Sequence, residues 1–236
     1  MNRYKMLFVA MLVCSIPVAN ALSAEPESTE DTVQPVSLAE LAAAADVVVL
    51  AQARDTDYVY QRDFPVRGSA FLRVLIPYKV DQPLDLIEVF EEGLREGECY
   101  FDNPTVFEEG RRFLLFVKRD PEDEERYRGL EPGCALDVLV VDDFGYALRM
   151  PADGIPLKDD LAAHAELMSF ADIYAQETDD SLSSEQRDDW LERGWIRPAE
   201  DGEGYVYTRG VDLAKVRSLL GPEGVTDDRH IKRLPD

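Results

Sequence analysis

Histidine is nearly missing from this chain: His164 and His230 are the only two in 236 residues. Neither lies in an H-E-x-x-H pattern, and two isolated histidines do not make a zinc site without carboxylates or cysteines at fitting positions. The usual base for a cysteine or serine nucleophile is therefore scarce as well. A G-x-S-x-G elbow, a P-loop and a G-x-G-x-x-G turn are all absent from the sequence. Positive charge is also in short supply, with 25 Lys and Arg against 48 Asp and Glu and a formal charge of -23. Phosphate recognition runs on clustered cations, so this balance excludes nucleic acid and argues equally against anionic lipid. No catalytic residue, cofactor or metal ligand is expected from these patterns.

Long apolar runs are limited to one, at the start. Arg3 and Lys5 precede "MLFVAMLVCSIPVA", and small residues follow in "ANALSA". A positive flank, a short apolar middle and an A-x-A site compose a secretory signal peptide, here residues 1–24, with cleavage after Ala21 or Ala24. The apolar middle is shorter than the ~20 residues of a membrane span. Removing residues 1–24 takes away two bases and no acids, which moves the charge from -23 to -25. The expected location is a periplasm or the extracellular space.

Cysteine is equally sparse. Cys14 departs with the signal and leaves Cys99 and Cys134. An even pair in an oxidising compartment is most simply a disulfide, contributing about 3–4 kcal/mol in the chain-entropy estimate. The competing reading, a reactive Cys99, wants a histidine partner, and both histidines lie far along the chain.

What is present reads as strands, then a mixed C-terminal part. Residues 25–36 are acidic and proline-bearing, a flexible leader. Ser37 and Glu40 stand at capping-box spacing and predict a helix over about 38–45. Strands are predicted from Val47, over 69–80 with a break or bulge at Pro77, over 84–93, over 111–119, and twice within 135–150 around an acidic turn at Asp142–Gly145. "DPEDEER" (120–126) reads as a solvated hairpin tip. Beyond Pro151, apolar spacing predicts a helix over 159–177, a second over 183–194, a hairpin through "WIRPAEDGEGYVYT", a last helix over 212–221, and a loose tail from 222 to 236.

Acidic clusters at 120–127, 140–146 and 177–189 invite calcium, but none has EF-hand spacing. Paired carboxylates of a hydrolase cannot be picked out among so many acids. The aromatics are more suggestive: Tyr58, Tyr60, Phe64, Tyr78, Tyr100 and Phe101 at strand ends or loops, and Trp190, Trp195, Tyr205 and Tyr207 near the C-terminus. They serve either as core or as a binding face.

From about residue 45 to 137 the order of features resembles the netrin-like module, the OB-type barrel of netrins, complement proteins and tissue inhibitors of metalloproteinases. "ADVVVLAQARD" is similar to its first strand, "GECYF" to its middle cysteine, "GRRFLLFVKR" to the strand after a glycine turn, and "PGCALD" to its later cysteine segment. In the metalloproteinase inhibitors an N-terminal cysteine chelates the target's zinc. No cysteine precedes the first strand of the mature chain here, so that wedge has no counterpart. The resemblance places Cys99 and Cys134 near one another.

The expectation is an α+β protein: an OB-like antiparallel barrel domain at 37–150 and a helix–hairpin–helix subdomain at 156–221. Its expected role is that of an exported, non-catalytic protein binding a protein or envelope component. The alternatives are a carboxylate-based periplasmic hydrolase and an inhibitor-like module using another loop. Thiol titration of the native, unreduced protein is expected to find neither Cys99 nor Cys134 reactive; two reactive thiols overturn the crosslink.

Overall fold

The computed structural model describes residues 34–61, 64–92, 107–130, 133–142, 145–152, 155–158 and 161–226. The predicted signal segment, most of the predicted leader, Cys99, Tyr100, Phe101, His230 and residues beyond 226 lie outside them.

A helix α1 (Leu38–Ala44) is followed by strands β1 (Val47–Gln61), β2 (Phe64–Lys79), β3 (Leu86–Glu92), β4 (Arg112–Arg119), β5 (Tyr127–Gly129), β6 (Ala135–Val140) and β7 (Tyr146–Met150). Five of these close on themselves in the order β1-β2-β3-β5-β4, with β4 returning to β1. The pairings are antiparallel except β3 with β5, which meet in parallel at Val89 and Tyr127. The protein is mostly β, with a closed five-stranded barrel and three α-helices among the described residues.

The apolar runs explain the closure. In β4 the register of side chains alternates between two cores. Phe113, Leu115 and Val117 join Val47, Val49, Ala51, Leu72, Ile87 and Val89 in one. Leu114 and Phe116 join Val48, Leu50 and the apolar side of α1 in the other. A strand buried on both faces carries no polar alternation, which is why "VVVL" and "FLLFV" read as continuous runs. Pro77 does mark an irregularity: Val48 faces Lys79 while Val49 already faces Pro77, so one residue of β2 is skipped.

At β4 the sheet divides. Val117–Arg119 pair with β5, whereas Arg112–Leu115 pair on the same side with β6. The hairpin tip predicted at 120–126 is there, held from inside by Asp120. Burial pushes that carboxyl up, but hydrogen bonds from the Glu122 amide, Arg126 and Arg128 outweigh it and hold the group below the ordinary range. From β6 the sheet runs on through β7 to β12 (Arg209–Asp212) and β8 (Glu166–Leu167).

The helix predicted over 159–177 is not formed in its described residues, 161–177. A short 3-10 turn (Ala162–His164), β8, a second 3-10 turn (Ile173–Ala175) and β9 (Gln176–Glu177) occupy it. Neighbouring strands satisfy this backbone instead of its own preceding turn: Met168 N donates to Thr208 O, Asp142 N to Ser169 O and Ala171 N to Val140 O. Leu167 and Ile173 stand out in solvent at 76% and 81% exposure. Helical spacing lost to tertiary pairing.

Helix α2 (Ser184–Glu192), the hairpin β10 (Ile196–Pro198) with β11 (Tyr205–Tyr207), and helix α3 (Leu213–Leu219) occur as predicted in order. A self-contained helix–hairpin–helix subdomain is not seen. β12 is inserted before α3 and pairs with β7, and Leu213, Val216 and Leu220 pack in the core shared with β1, β4 and α1. The hairpin pairs with β9 in a separate three-stranded sheet over a small core of Leu139, Ala175, Trp190, Ile196 and Tyr207.

The ends are tied in. Val36, placed in the leader, bridges to Leu157, and Thr226, placed in the tail, donates its amide to Tyr78 O at 2.7 Å. The capping box of α1 is formed, and the same Glu40 carboxylate takes Lys158 Nζ at 2.7 Å. The Lys158 hydrogen bond, then the Ser37 amide, hold Glu40 down to about 2 against an ordinary 4.5. A depressed folded value means that Glu40 stabilises above pH 4.5 and stops doing so as pH falls toward about 2. The stability gap between the native protein and Glu40→Gln, read from urea midpoints, is expected to be full at pH 6 and to shrink across that window.

Candidate interaction surface

The longest element is an arm. β1 runs 15 residues and β2 16, yet β1 pairs with β4 only over Val47–Gln52, and β2 with β3 only over Arg67–Arg73. One further hydrogen-bonded step, between Ala53 and the Gly110–Arg111 turn, ends the contact with β4. From Asp55 to Gln61 β1 continues its pairing with β2. Within the hairpin Gly68 lies against the backbone of Asp57 and Tyr58. Its φ is +143°, and a Cβ there would stand 2.1 Å from Asp57 O, so only glycine fits this crossing.

Side chains on the arm divide by parity between its register shifts. Tyr58 turns toward the barrel and packs against its interior core, where burial raises its hydroxyl. Asp55, Asp57 and Val59 share the other face. Arg54 through Asp57 are exposed, as are Val59 at 53% and Tyr60 at 48%. Tyr60 meets Tyr58 edge-on with ring centres 6.5 Å apart. The remaining aromatics singled out from sequence are mostly packing: Tyr78, Trp190 and Tyr207 are buried, and Trp195 and Tyr205 half-buried. Of Phe64 only the backbone pairing is described.

Two shallow depressions lie elsewhere. One, of about 280 Å³, is lined by Val141, Asp142, Tyr146, Ala147, Met168, Ser169 and Asp212. Its second carboxylate is engaged, since Asp212 caps α3 through a 2.7 Å bond from Ala214 N. The other, of about 270 Å³, lies between Pro151, Leu161, Trp190 and Trp195. Lys158 at its rim is committed to Glu40, and Gln186 to the Ser183 amide.

Sequence reasoning missed an ionic group on the sheet face opposite the larger core. Arg149, 5% exposed, bonds Asp137 at 3.0 Å, Glu177 at 3.3 Å and the Tyr207 hydroxyl, while Arg111 holds the same Asp137 oxygen at 2.8 Å. Asp172 pairs with Arg112 at 3.2 Å and accepts the Val140 and Tyr174 amides. Two cations and two anions balance around Arg149, and they join β6 and β7 to β9 and β11. Nothing in the spacing of Asp137, Arg149 and Glu177 distinguishes them from the many surface charges. A buried position inside the apolar "ALRM" was the one available sign.

Cys134 is buried at 1% exposure, its carbonyl accepting Phe116 N at 2.8 Å. Its sequence-paired Cys99 lies outside the described residues. His164 sits half-buried in the first 3-10 turn. Among the described residues no three His, Cys, Asp or Glu gather as a metal site, and no helix is long and apolar enough to cross a membrane. No family model, no curated protein and no solved structure matches this chain.

Arg149→Met leaves Glu177 without its cation and is expected to cost about 3 kcal/mol in urea unfolding. Arg149→Lys is expected to recover only part of that, because one ammonium cannot reach three partners in the guanidinium's fork geometry.

Proposed function

We propose that this is an exported, non-catalytic interaction protein that engages a protein or envelope component through the β1–β2 arm of a netrin-like, OB-type barrel. The observation that carries the reading is the arm itself: a hairpin longer than its barrel requires, with Val59 and Tyr60 about half exposed at its far end. A large aromatic beside a branched apolar residue, rimmed by acids, is the composition of an interface anchor. The five-stranded closure, with β5 returning beside β3, supports the OB-type assignment, whose ligands are met on a strand face and its adjoining loops. Burial of Cys134, which is not without a partner, supports its pairing with Cys99.

An inhibitor-like role is the second reading that the arm favours, since a projecting hairpin can enter a protease cleft. The hydrolase reading has less behind it: the two carboxylates of the open depression include one already holding a helix end.

Immobilised protein and a Val59→Ser/Tyr60→Ser variant, each exposed to envelope extract, form the test. Loss of an anchor of this kind is worth about tenfold in retention. A partner retained by the native arm and reduced about tenfold by the variant is expected. Equal retention by both sinks the arm as the contact.

A further inference from the structure

We propose that the depression between the end of β7, α2 and the turn into β10 is a binding site for a small, uncharged aromatic molecule carrying one hydrogen-bond acceptor. This goes beyond the interaction reading above and uses none of the arm's residues.

The depression measures about 270 Å³, just under the ~300 Å³ at which pockets for drug-sized ligands begin, so its occupant is about one ring in size. Met150, Pro151 and Leu161 line it from the side of the larger core, and all three are buried. Trp190 and Trp195 line it from the side of the small core. The site is thus the seam where the two cores meet, and hydrocarbon, a thioether and indole carbon face it. A lining of this kind offers water few partners and suits an apolar ring.

Both tryptophans are held in place by the fold itself. Trp190 is buried, with its ring 6.2 Å from that of Tyr207. Trp195 donates its amide to Trp190 O and accepts from Thr208 N, each at 2.9 Å. The Arg193 guanidinium lies over the Trp195 ring at 4.8 Å. A wall already ordered spares a ligand the cost of ordering it.

The rim selects for charge and polarity. Lys158 donates to both Glu40 carboxylate oxygens, at 2.8 and 2.7 Å, so its charge is already balanced. The chain's formal charge of -23 further disfavours an anion. Gln186 accepts the Ser183 amide through Oε1 at 3.2 Å, and a carboxamide fixed that way presents Nε2 as its donor. One carbonyl or hydroxyl oxygen on the ring matches that donor. A sugar, with a hydroxyl on most of its carbons, would bury several of them against this lining without partners.

The chain's two tryptophans both line the site, so tryptophan emission reads it directly. The probe is benzamide, titrated into the full chain beside benzoate and N-acetylglucosamine. Expected is a saturable change in emission with a midpoint at about 1 mM or below, and about tenfold weaker binding of benzoate. Gln186→Glu keeps the capping-box acceptor but removes the donor, so it should retain the urea midpoint and weaken benzamide about tenfold. Ala162→Leu adds bulk to the lining and should abolish the change. A response that never saturates, or that Ala162→Leu leaves intact, overturns the site. So does unchanged affinity in Gln186→Glu, or benzoate or N-acetylglucosamine binding as tightly as benzamide. Tighter binding by a glycine peptide with one central phenylalanine would assign the depression to a partner's side chain and overturn the free ligand.

Discussion

The pairing of β1 with β4 is the constraint on which the rest of the molecule depends. Six residue pairs in register, Val47↔Val117 through Gln52↔Arg112, close the barrel and at the same time form the wall between two cores. Inside, the alternate residues of both strands fill the barrel; outside, the intervening ones receive α1, α3 and the strand extension. A barrel wall is usually wet on one side. This one is dry on both, and the second core is what brings the N-terminal helix and the last helix to the same place.

That arrangement leaves one sheet face uncovered by either of these cores, and it is filled by charge set beside the small core of Leu139, Ala175, Trp190, Ile196 and Tyr207. Arg149, Asp137 and Glu177 tie β6 and β7 to the small sheet of β9, β10 and β11. Buried pairs of this sort add little net stability over an apolar substitute, because desolvation offsets attraction. Their effect is orientation: a guanidinium reaching a carboxylate on each side and a tyrosine hydroxyl fixes the angle at which the two sheets meet. Asp172 does the same for the segment between β8 and β9, binding Arg112 and two backbone amides at once.

Much of the barrel was legible because its residues have one job each. Val47–Leu50 and Phe113–Val117 are apolar without interruption, Ser37 and Glu40 form the capping box they spell, and Pro77 sits next to the skipped residue, Tyr78. Asp212 caps α3 at the point where the last helix was predicted to begin. The stretch 159–177 was misread because Leu161, Ala165 and Met168 fall at helical spacing, while the backbone there is taken up by β12 and β6 from 40 residues downstream and 30 upstream in the chain. The three-residue β5 and four-residue β12 carry too few side chains for periodicity to register. The arm was half visible: its aromatics stood out, but its reach past β3 and β4 depends on where those partners stop, and no local pattern encodes that.

Helix α1 offers a last consequence. It has no base in its final turn, and its closing carbonyls, those of Ala42 and Ala45, are bonded instead by Lys79 Nζ at 2.9 and 2.6 Å. Its opening turn is held by Lys158, and Gly224 fits against Ala42 so closely that a Cβ would stand 2.7 Å from that methyl. Seven residues do not sustain a helix unaided. All three supports lie later in the chain, the last of them at Gly224, so α1 is complete only when distant parts of the described fold are in place. The helix is a local element held together by remote ones.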